Sequence, residues 1–105
     1  MRTVLVEVKP EHIERGRRHM TDTCPVALAL LDAGLARPHV CDDAIEFDDY
    51  SRPGKRVAVS VEPPTIVRRR VRAYDRGEGM EPFTFQLAYV GWEVEREDGD
   101  GPADD

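Results

Sequence analysis

The fold depends most on residues 24–34, Cys24-Pro25-Val26-Ala27-Leu28-Ala29-Leu30-Leu31-Asp32-Ala33-Gly34. Asp22 or Thr23 can cap a helix here, Pro25 suits its first turn, and Gly34 suits its end. The apolar residues of this helix stand on every side of its axis. We therefore predict that it is covered on most of its circumference, by a sheet and another helix or by a second copy of the chain.

The residues before this helix predict a strand and a short helix. Thr3–Val8 is rich in β-branched residues and alternates in polarity, which predicts a strand in the interior of a sheet. Pro10 suits the first turn of a helix of about two turns that Gly16 ends. Residues 17–22 have no apolar period and are predicted to form a loop.

The residues after the apolar helix predict three further strands. His39–Cys41 and Ala44–Phe47 flank Asp42-Asp43, a pair that suits a tight turn, so a hairpin is expected. Arg56–Val61 alternates, with Val57, Val59 and Val61 on one face, and is predicted to be a strand.

The last part of the folded region is predicted to contain a helix and a terminal strand. Pro64 begins the helix, and its inner face carries Val67, Val71 and Tyr74. Phe83–Trp92 is then predicted to form a final strand or a bent pair of strands, with a bulge or bend at Gly91.

Together these elements predict one small α+β domain over residues 1–94. We expect a mainly antiparallel sheet of about five strands with two to three helices, in the order β-α-α-β-β-β-α-β. Residues 95–105 are acidic and poor in apolar side chains, so a disordered tail is expected there.

The charge of the chain lies mostly in that tail. Residues 95–105 hold six carboxylates and one arginine, so they carry −5 of the net charge of −6 over all 105 residues. Because the remainder is nearly neutral, an acidic surface that mimics DNA is not indicated. No apolar run approaches the length of a membrane span or signal core, and the two cysteines do not form a disulfide framework, so a soluble cytoplasmic protein without membrane contact is expected.

The helix that follows Pro64 also carries the candidate ligand-binding residues. Arg68, Arg72 and Arg76 are spaced by four residues, and Arg69 flanks them, so one outer face presents guanidinium groups. Such a face can bind phosphates of a nucleic acid or nucleotide. The competing interpretation is an ordinary solvent-facing helix whose arginines pair with carboxylates of the same or a neighbouring chain.

Three other groups of residues suggest a reactive or metal site but also have simpler structural interpretations. Asp42, Asp43, Glu46, Asp48 and Asp49 lack the spacing of an EF-hand loop and are predicted to form a solvated surface. Cys24 stands at a helix start, where a thiolate is stabilised, but a buried thiol is the more common role. His12, His19, Cys24 and Cys41 are zinc-compatible but match no compact zinc motif. With phosphate-loop, serine-hydrolase and zinc-protease motifs also missing from the sequence, we expect no enzyme activity, no metal and no cofactor.

Four segments resemble a set of small uncharacterised proteins of actinobacterial phages and GC-rich bacteria. They are Glu11-His12-Ile13 with Arg15-Gly16, Cys24-Pro25-Val26-Ala27-Leu28-Ala29-Leu30, Tyr74-Asp75-Arg76-Gly77-Glu78, and Glu81-Pro82-Phe83-Thr84-Phe85, and the resemblance spans residues 4–87. Those proteins often carry a second cysteine three residues before the first, where this chain has Thr21, so no metal or disulfide role is carried over. The resemblance implies a phage accessory protein without an assigned activity.

The sequence therefore favours a non-enzymatic, phage-type accessory protein that binds another protein and forms homo-oligomers around the apolar helix or an exposed sheet edge. The alternative is a binder of nucleic acid or nucleotide that uses Arg68, Arg69, Arg72 and Arg76.

Overall fold

The computed structural model describes residues 2–41 and 43–94. The predicted tail at 95–105 lies outside the described residues. The elements follow the chain as β1 (Arg2–Val8), α1 (Pro10–Arg15), α2 (Pro25–Asp32), β2 (Ala36–Val40), β3 (Ile45–Asp49), β4 (Arg56–Val61), α3 (Thr65–Asp75), β5 (Phe83–Tyr89) and β6 (Trp92–Val94). The predicted α+β class and the predicted element order are confirmed, with β6 as the second member of the predicted bent pair.

The strands divide between two antiparallel sheets. One sheet is the pair β1-β5, with Val6 opposite Phe85, and the other has the order β2-β3-β4-β6. The predicted hairpin is confirmed as β2-β3, and the pairing of β3 with β4 places Phe47 opposite Val59. The expectation that the first strand is interior was wrong, because β1 pairs along one edge only within the described residues.

The chain passes from one sheet to the other at Gly91. A β-carbon placed on Gly91 would lie 2.5 Å from Cγ1 of Val57 and 2.6 Å from the carbonyl oxygen of Ala58. Only glycine tolerates such a close approach to the neighbouring strand. The predicted bend therefore has a steric reason, since it is what lets β6 lie against β4.

One hydrophobic core joins both sheets and the helices. Helix α2 lies at its centre, in contact with β1, α1 and β2. The inward side chains of β1 and β5 pack on the same cluster as those of β3 and β4, and α3 adds the buried Val67 and Val71. Burial of this kind is the main favourable contribution to the stability of a small domain.

Candidate binding surfaces

Helix α2 is covered by the chain on most sides but is open on one. Val26, Ala27 and Leu30 are fully buried, and Leu28 is half-buried. Leu31 points outward and is 47% exposed. The prediction that most of this helix is covered is confirmed, and Leu31 is its exposed leucine. The open side of α2, defined by Leu28 and Leu31, is an apolar surface on an otherwise buried helix.

A groove runs beside α2 along strand β1. It is lined by Leu5, Glu7, Lys9, His12, Ala29, Asp32 and Ala33. Leu5 is 55% exposed and lies on the face of β1 that points away from the core. The groove thus brings further apolar surface close to the open side of α2, with charged residues at its margin.

A buried histidine holds α1 against α2 at the base of this groove. His12 is 1% exposed, and its Nδ1 accepts the backbone N–H of Lys9 at 2.9 Å. Because Nδ1 accepts, the proton is on Nε2, which donates to Oδ2 of Asp32 at 2.6 Å. The hydrogen bond from His12 lowers the pKa of Asp32. Both ring nitrogens are engaged, so His12 has a structural role that its sequence position did not reveal.

The four predicted arginines lie on one side of α3, away from the buried Val67 and Val71. Arg69, Arg72 and Arg76 are exposed and Arg68 is half-buried. The shared face that the spacing predicted is therefore present, and it presents several guanidinium groups to solvent.

Carboxylates of the same chain hold two of these arginines. Arg76 donates to both carboxylate oxygens of Glu78, at 2.9 and 3.2 Å, and this hydrogen bonding lowers the pKa of Glu78. Nη2 of Arg68 lies 3.7 Å from Oε2 of Glu62. On the opposite side of the helix, the guanidinium carbon of Arg70 lies over the ring of Phe83, 5.1 Å from the ring centroid. Part of the arginine face therefore fits the competing interpretation of an ordinary charged helix surface.

A loop that the sequence did not mark as functional lies beside the C-terminal end of α3. The hydroxyl of Tyr74 donates to the carbonyl of Gly16 at 2.9 Å, and the backbone N–H of His19 donates to Asp75 at 3.0 Å. The next two residues after Gly16, Arg17 and Arg18, are exposed. Two adjacent arginines are visible in the sequence, but their position near α3 depends on these long-range contacts.

The structure does not assemble the reactive sites that were weighed from the sequence. Cys24 is 3% exposed, and burial raises its pKa, which disfavours a thiolate. His12 is engaged with Asp32 and lines the groove beside β1, whereas His19, Cys24 and Cys41 line a different cavity. Within residues 2–41 and 43–94, no group of three or more metal-binding side chains is suitably placed to hold an ion.

The acidic residues in and before β3 are less exposed than the sequence predicted. Asp43 and Glu46 are exposed as expected, but Asp48 and Asp49 are buried. Asp48 accepts a hydrogen bond from Nε of Arg37 at 2.8 Å. A solvated surface was therefore wrong for these two residues, because distant arginines and Tyr89 supply them with partners. Asp42, also part of that prediction, lies outside the described residues.

Asp49 connects the two sheets. Its Oδ2 accepts a hydrogen bond from the hydroxyl of Tyr89 at 2.7 Å and lies 2.9 Å from Nε of Arg2. Tyr89 also packs edge-on against Phe47, with ring centroids 5.0 Å apart. This cluster is a structural junction of β1, β3 and β5 rather than an open site.

Among the described helices, none is both long and apolar enough to span a bilayer. Comparison of the chain with protein-family models, with curated proteins and with solved structures finds no match.

Proposed function

We propose that this chain is a non-enzymatic accessory protein of phage type that acts by binding another protein in the host cytoplasm and that associates with copies of itself. The observation that carries the proposal is the exposure of Leu31 on a helix whose other leucines are buried or half-buried. Full burial of an exposed leucine contributes about 1.5–3 kcal/mol, so covering the exposed part of Leu31 contributes roughly half of that, and a symmetric contact covers it in both copies.

The neighbouring strand supports the same proposal. Strand β1 has one unpaired edge within the described residues, and its outward Leu5 lies next to α2 in the groove. Exposed apolar side chains near an open strand edge are a common starting point for association.

The surroundings of His12 and Cys24 support a role in binding. Both nitrogens of His12 are engaged, and Cys24 is buried with a raised pKa. Neither group is placed to act as a base or nucleophile without rearrangement of the fold.

Light scattering coupled to size-exclusion chromatography tests the self-association. We expect the wild-type chain at high micromolar concentration to exceed the monomer mass of 11.9 kDa, and Leu31→Glu to be a monomer. Ile66→Glu is the matched control, since Ile66 is an exposed apolar residue of α3, 39% accessible. A wild-type monomer, or equal loss of mass in both variants, would reject association through α2.

An affinity capture from host lysate tests protein binding. We expect the wild-type chain to retain a partner that Leu31→Glu loses, and a chain without residues 95–105 to retain it too. A partner captured only by the full-length chain would place binding in the tail and contradict a role for α2.

The second candidate function is binding of an anionic ligand, nucleic acid or nucleotide, through α3. The observation that favours it is the exposure of Arg69 and Arg72 on the face they share with Arg68 and Arg76. Salt-dependent binding of DNA or RNA that is lost in Arg69→Glu/Arg72→Glu is the expected result, and no binding at low salt eliminates the nucleic-acid form.

A further inference from the structure

We propose that a cavity lined by Gly16, Arg17, Arg18, Met20 and Tyr74 binds the phosphate group of a small organic phosphate monoester. The inference goes beyond the proposed function, because it needs neither the open side of α2 nor the arginines on the outer face of α3. The space between the five lining residues is called the loop cavity below.

The loop cavity has a basic lining. Its volume is about 570 Å³, which is within the range of small-molecule sites, and the described residues that line it include two arginines but no Asp or Glu. By contrast, the groove along β1 includes Glu7 and Asp32, and the cavity beside the two cysteines includes Asp43 and Asp75. An anion that enters the loop cavity therefore meets two positive charges and no negative charge in its described lining.

The backbone at the start of the loop is fixed before any ligand arrives. The hydroxyl of Tyr74 donates to the carbonyl of Gly16 at 2.9 Å. The backbone N–H of Arg17 donates to the carbonyl of Thr23, also at 2.9 Å. Gly16 lies directly against α2, since a β-carbon there would stand 2.5 Å from Cδ of Pro25. Binding therefore requires little further ordering of the backbone, which lowers its entropic cost.

The side chain of Arg18 is held beside the end of α3. Its guanidinium carbon lies 3.8 Å from the point where a β-carbon of Gly77 would stand. The next residue, His19, donates its backbone N–H to Oδ1 of Asp75 at 3.0 Å. Asp75 lines the neighbouring cavity and is not among the residues that line the loop cavity. The guanidinium group of Arg18 thus shares the loop cavity with that of Arg17 and not with a carboxylate.

The charges of both arginines are available to a ligand. Arg17 and Arg18 are exposed, and within residues 2–41 and 43–94 their side chains form no hydrogen bond or ion pair. A guanidinium binds an oxyanion through two parallel N–H groups. A phosphate monoester carries a charge of about −1.5 to −2 at neutral pH and three terminal oxygens, so it can satisfy two guanidinium groups. A carboxylate has a single charge and two oxygens, which match only one of them.

Met20 supplies the apolar part of the lining. Its side chain is 46% exposed, whereas Tyr74 is almost buried and its hydroxyl is already used by Gly16. The thioether chain of methionine is flexible and polarisable, so it adapts to apolar groups of different shapes. We therefore expect the organic part of the ligand to contact Met20 while its phosphate group binds the two arginines.

The test is a titration of the full-length, isotope-labelled chain with phenyl phosphate, followed by NMR. The backbone amide signals of Arg17 and Arg18 and the methyl signal of Met20 should shift together and saturate, while the amide signal of Leu5 in the groove along β1 stays constant. Benzoate has the same ring but one charge, and it should bind at least about fivefold more weakly. Inorganic phosphate lacks the ring and should also bind more weakly than phenyl phosphate.

Single substitutions locate the site. Arg17→Gln and Arg18→Gln should each raise the Kd for phenyl phosphate at least about fivefold. Arg69→Gln is the matched control, since it removes the same charge from an exposed arginine of α3 that likewise has no partner within residues 2–41 and 43–94. We expect the control to change the Kd by less than about twofold, because solvent and salt screen a charge outside the cavity. The amide spectrum of each variant also shows whether it is folded.

Each other outcome overturns a stated part of the proposal. If no signal shows a saturable shift up to about 10 mM phenyl phosphate, the loop cavity does not bind a phosphate monoester. Shifts confined to α3, or equal weakening by Arg69→Gln, would overturn the loop cavity in favour of the face of α3 or an effect of net charge. Equal affinity for benzoate would overturn the choice of a phosphate group, and equal affinity for inorganic phosphate would overturn the contact of the organic part with Met20.

Discussion

His12 shows how one buried polar side chain can fix the arrangement of two helices. It is 1% exposed, accepts a hydrogen bond from the backbone N–H of Lys9 and donates one to Asp32. Loss of a buried ring with both of its hydrogen bonds leaves a cavity and an unsatisfied N–H group.

We predict that His12→Ala lowers the free energy of unfolding by about 2–4 kcal/mol, measured by urea denaturation. His39→Ala is the control, because His39 is exposed on β2 and should change stability by less than about 0.5 kcal/mol. Equal effects of the two substitutions would show that His12 does not stabilise the packing of α1 on α2.

The buried hydroxyl of Tyr89 is expected to make the fold less stable at alkaline pH. Burial, followed by the hydrogen bond to Asp49, raises the pKa of Tyr89 to about 12. A tyrosine in the unfolded chain loses its proton near pH 10, so the unfolded state binds fewer protons than the folded state above that pH. Stability should therefore fall as pH rises from about 10 to 12.

The measurement is the free energy of unfolding of wild type and Tyr89→Phe across that pH range. The wild-type value should decline more steeply than that of the variant, and ultraviolet titration should show one fewer late-ionising phenol in the variant. If the free energies of unfolding of wild type and Tyr89→Phe change in parallel with pH, the hydroxyl at position 89 is not buried and hydrogen-bonded.

The carboxylate of Asp49 is expected to make the fold less stable as pH falls into the acid range. Burial opposes its ionisation, but the hydrogen bonds from Tyr89 and Ser51 and the charge of Arg2 outweigh burial and lower the pKa of Asp49. A lowered pKa stabilises the fold above the unfolded value of about 3.9 and ceases to do so as pH falls through the folded value. Asp49→Asn should therefore be destabilising at neutral pH, and the difference from wild type should shrink below about pH 4, as measured by chemical denaturation. A difference that does not change with pH would show that the charge of Asp49 is unimportant.

At the scale of single elements, local sequence signals predicted most of the helices and strands. Pro25 and Gly34 lie close to the ends of α2, and the spacing of Val57, Val59 and Val61 predicted β4 with its observed limits, Arg56–Val61. These signals act within a few residues and depend little on the rest of the chain. The burial of Asp48 and Asp49 was missed because it depends on Arg37 and Arg2, which approach only after folding.

The bend between β5 and β6 gives a prediction at this scale. Because a β-carbon on Gly91 would meet Val57 and the backbone of Ala58, Gly91→Ala should displace β6 and reduce stability by about 1–3 kcal/mol in thermal or urea unfolding. Val90→Ala is the adjacent control, since Val90 is 70% exposed. If Gly91→Ala is as stable as wild type, the close packing of this bend on β4 is not needed.

At the scale of the whole molecule, the sequence predicted the α+β class but not the division into two sheets. Pairing between β4 and β6 joins residues far apart in the chain, and such pairing has no local pattern. The position of Arg17 and Arg18 near the end of α3 was missed for the same reason, because their loop meets this helix only through long-range contacts. Positions near the apolar helix were predicted best, since burial of that helix organises the core.

Helix α2 is the centre of the core, and we propose that copies of the chain meet at its open side, Leu28 and Leu31. Methyl NMR over a dilution series tests it most directly. The Leu28 and Leu31 methyl signals should shift with protein concentration, while those of the fully buried Leu30 and of Ile66 on α3 stay constant. Leu31 signals that do not change from low to high concentration would contradict the account.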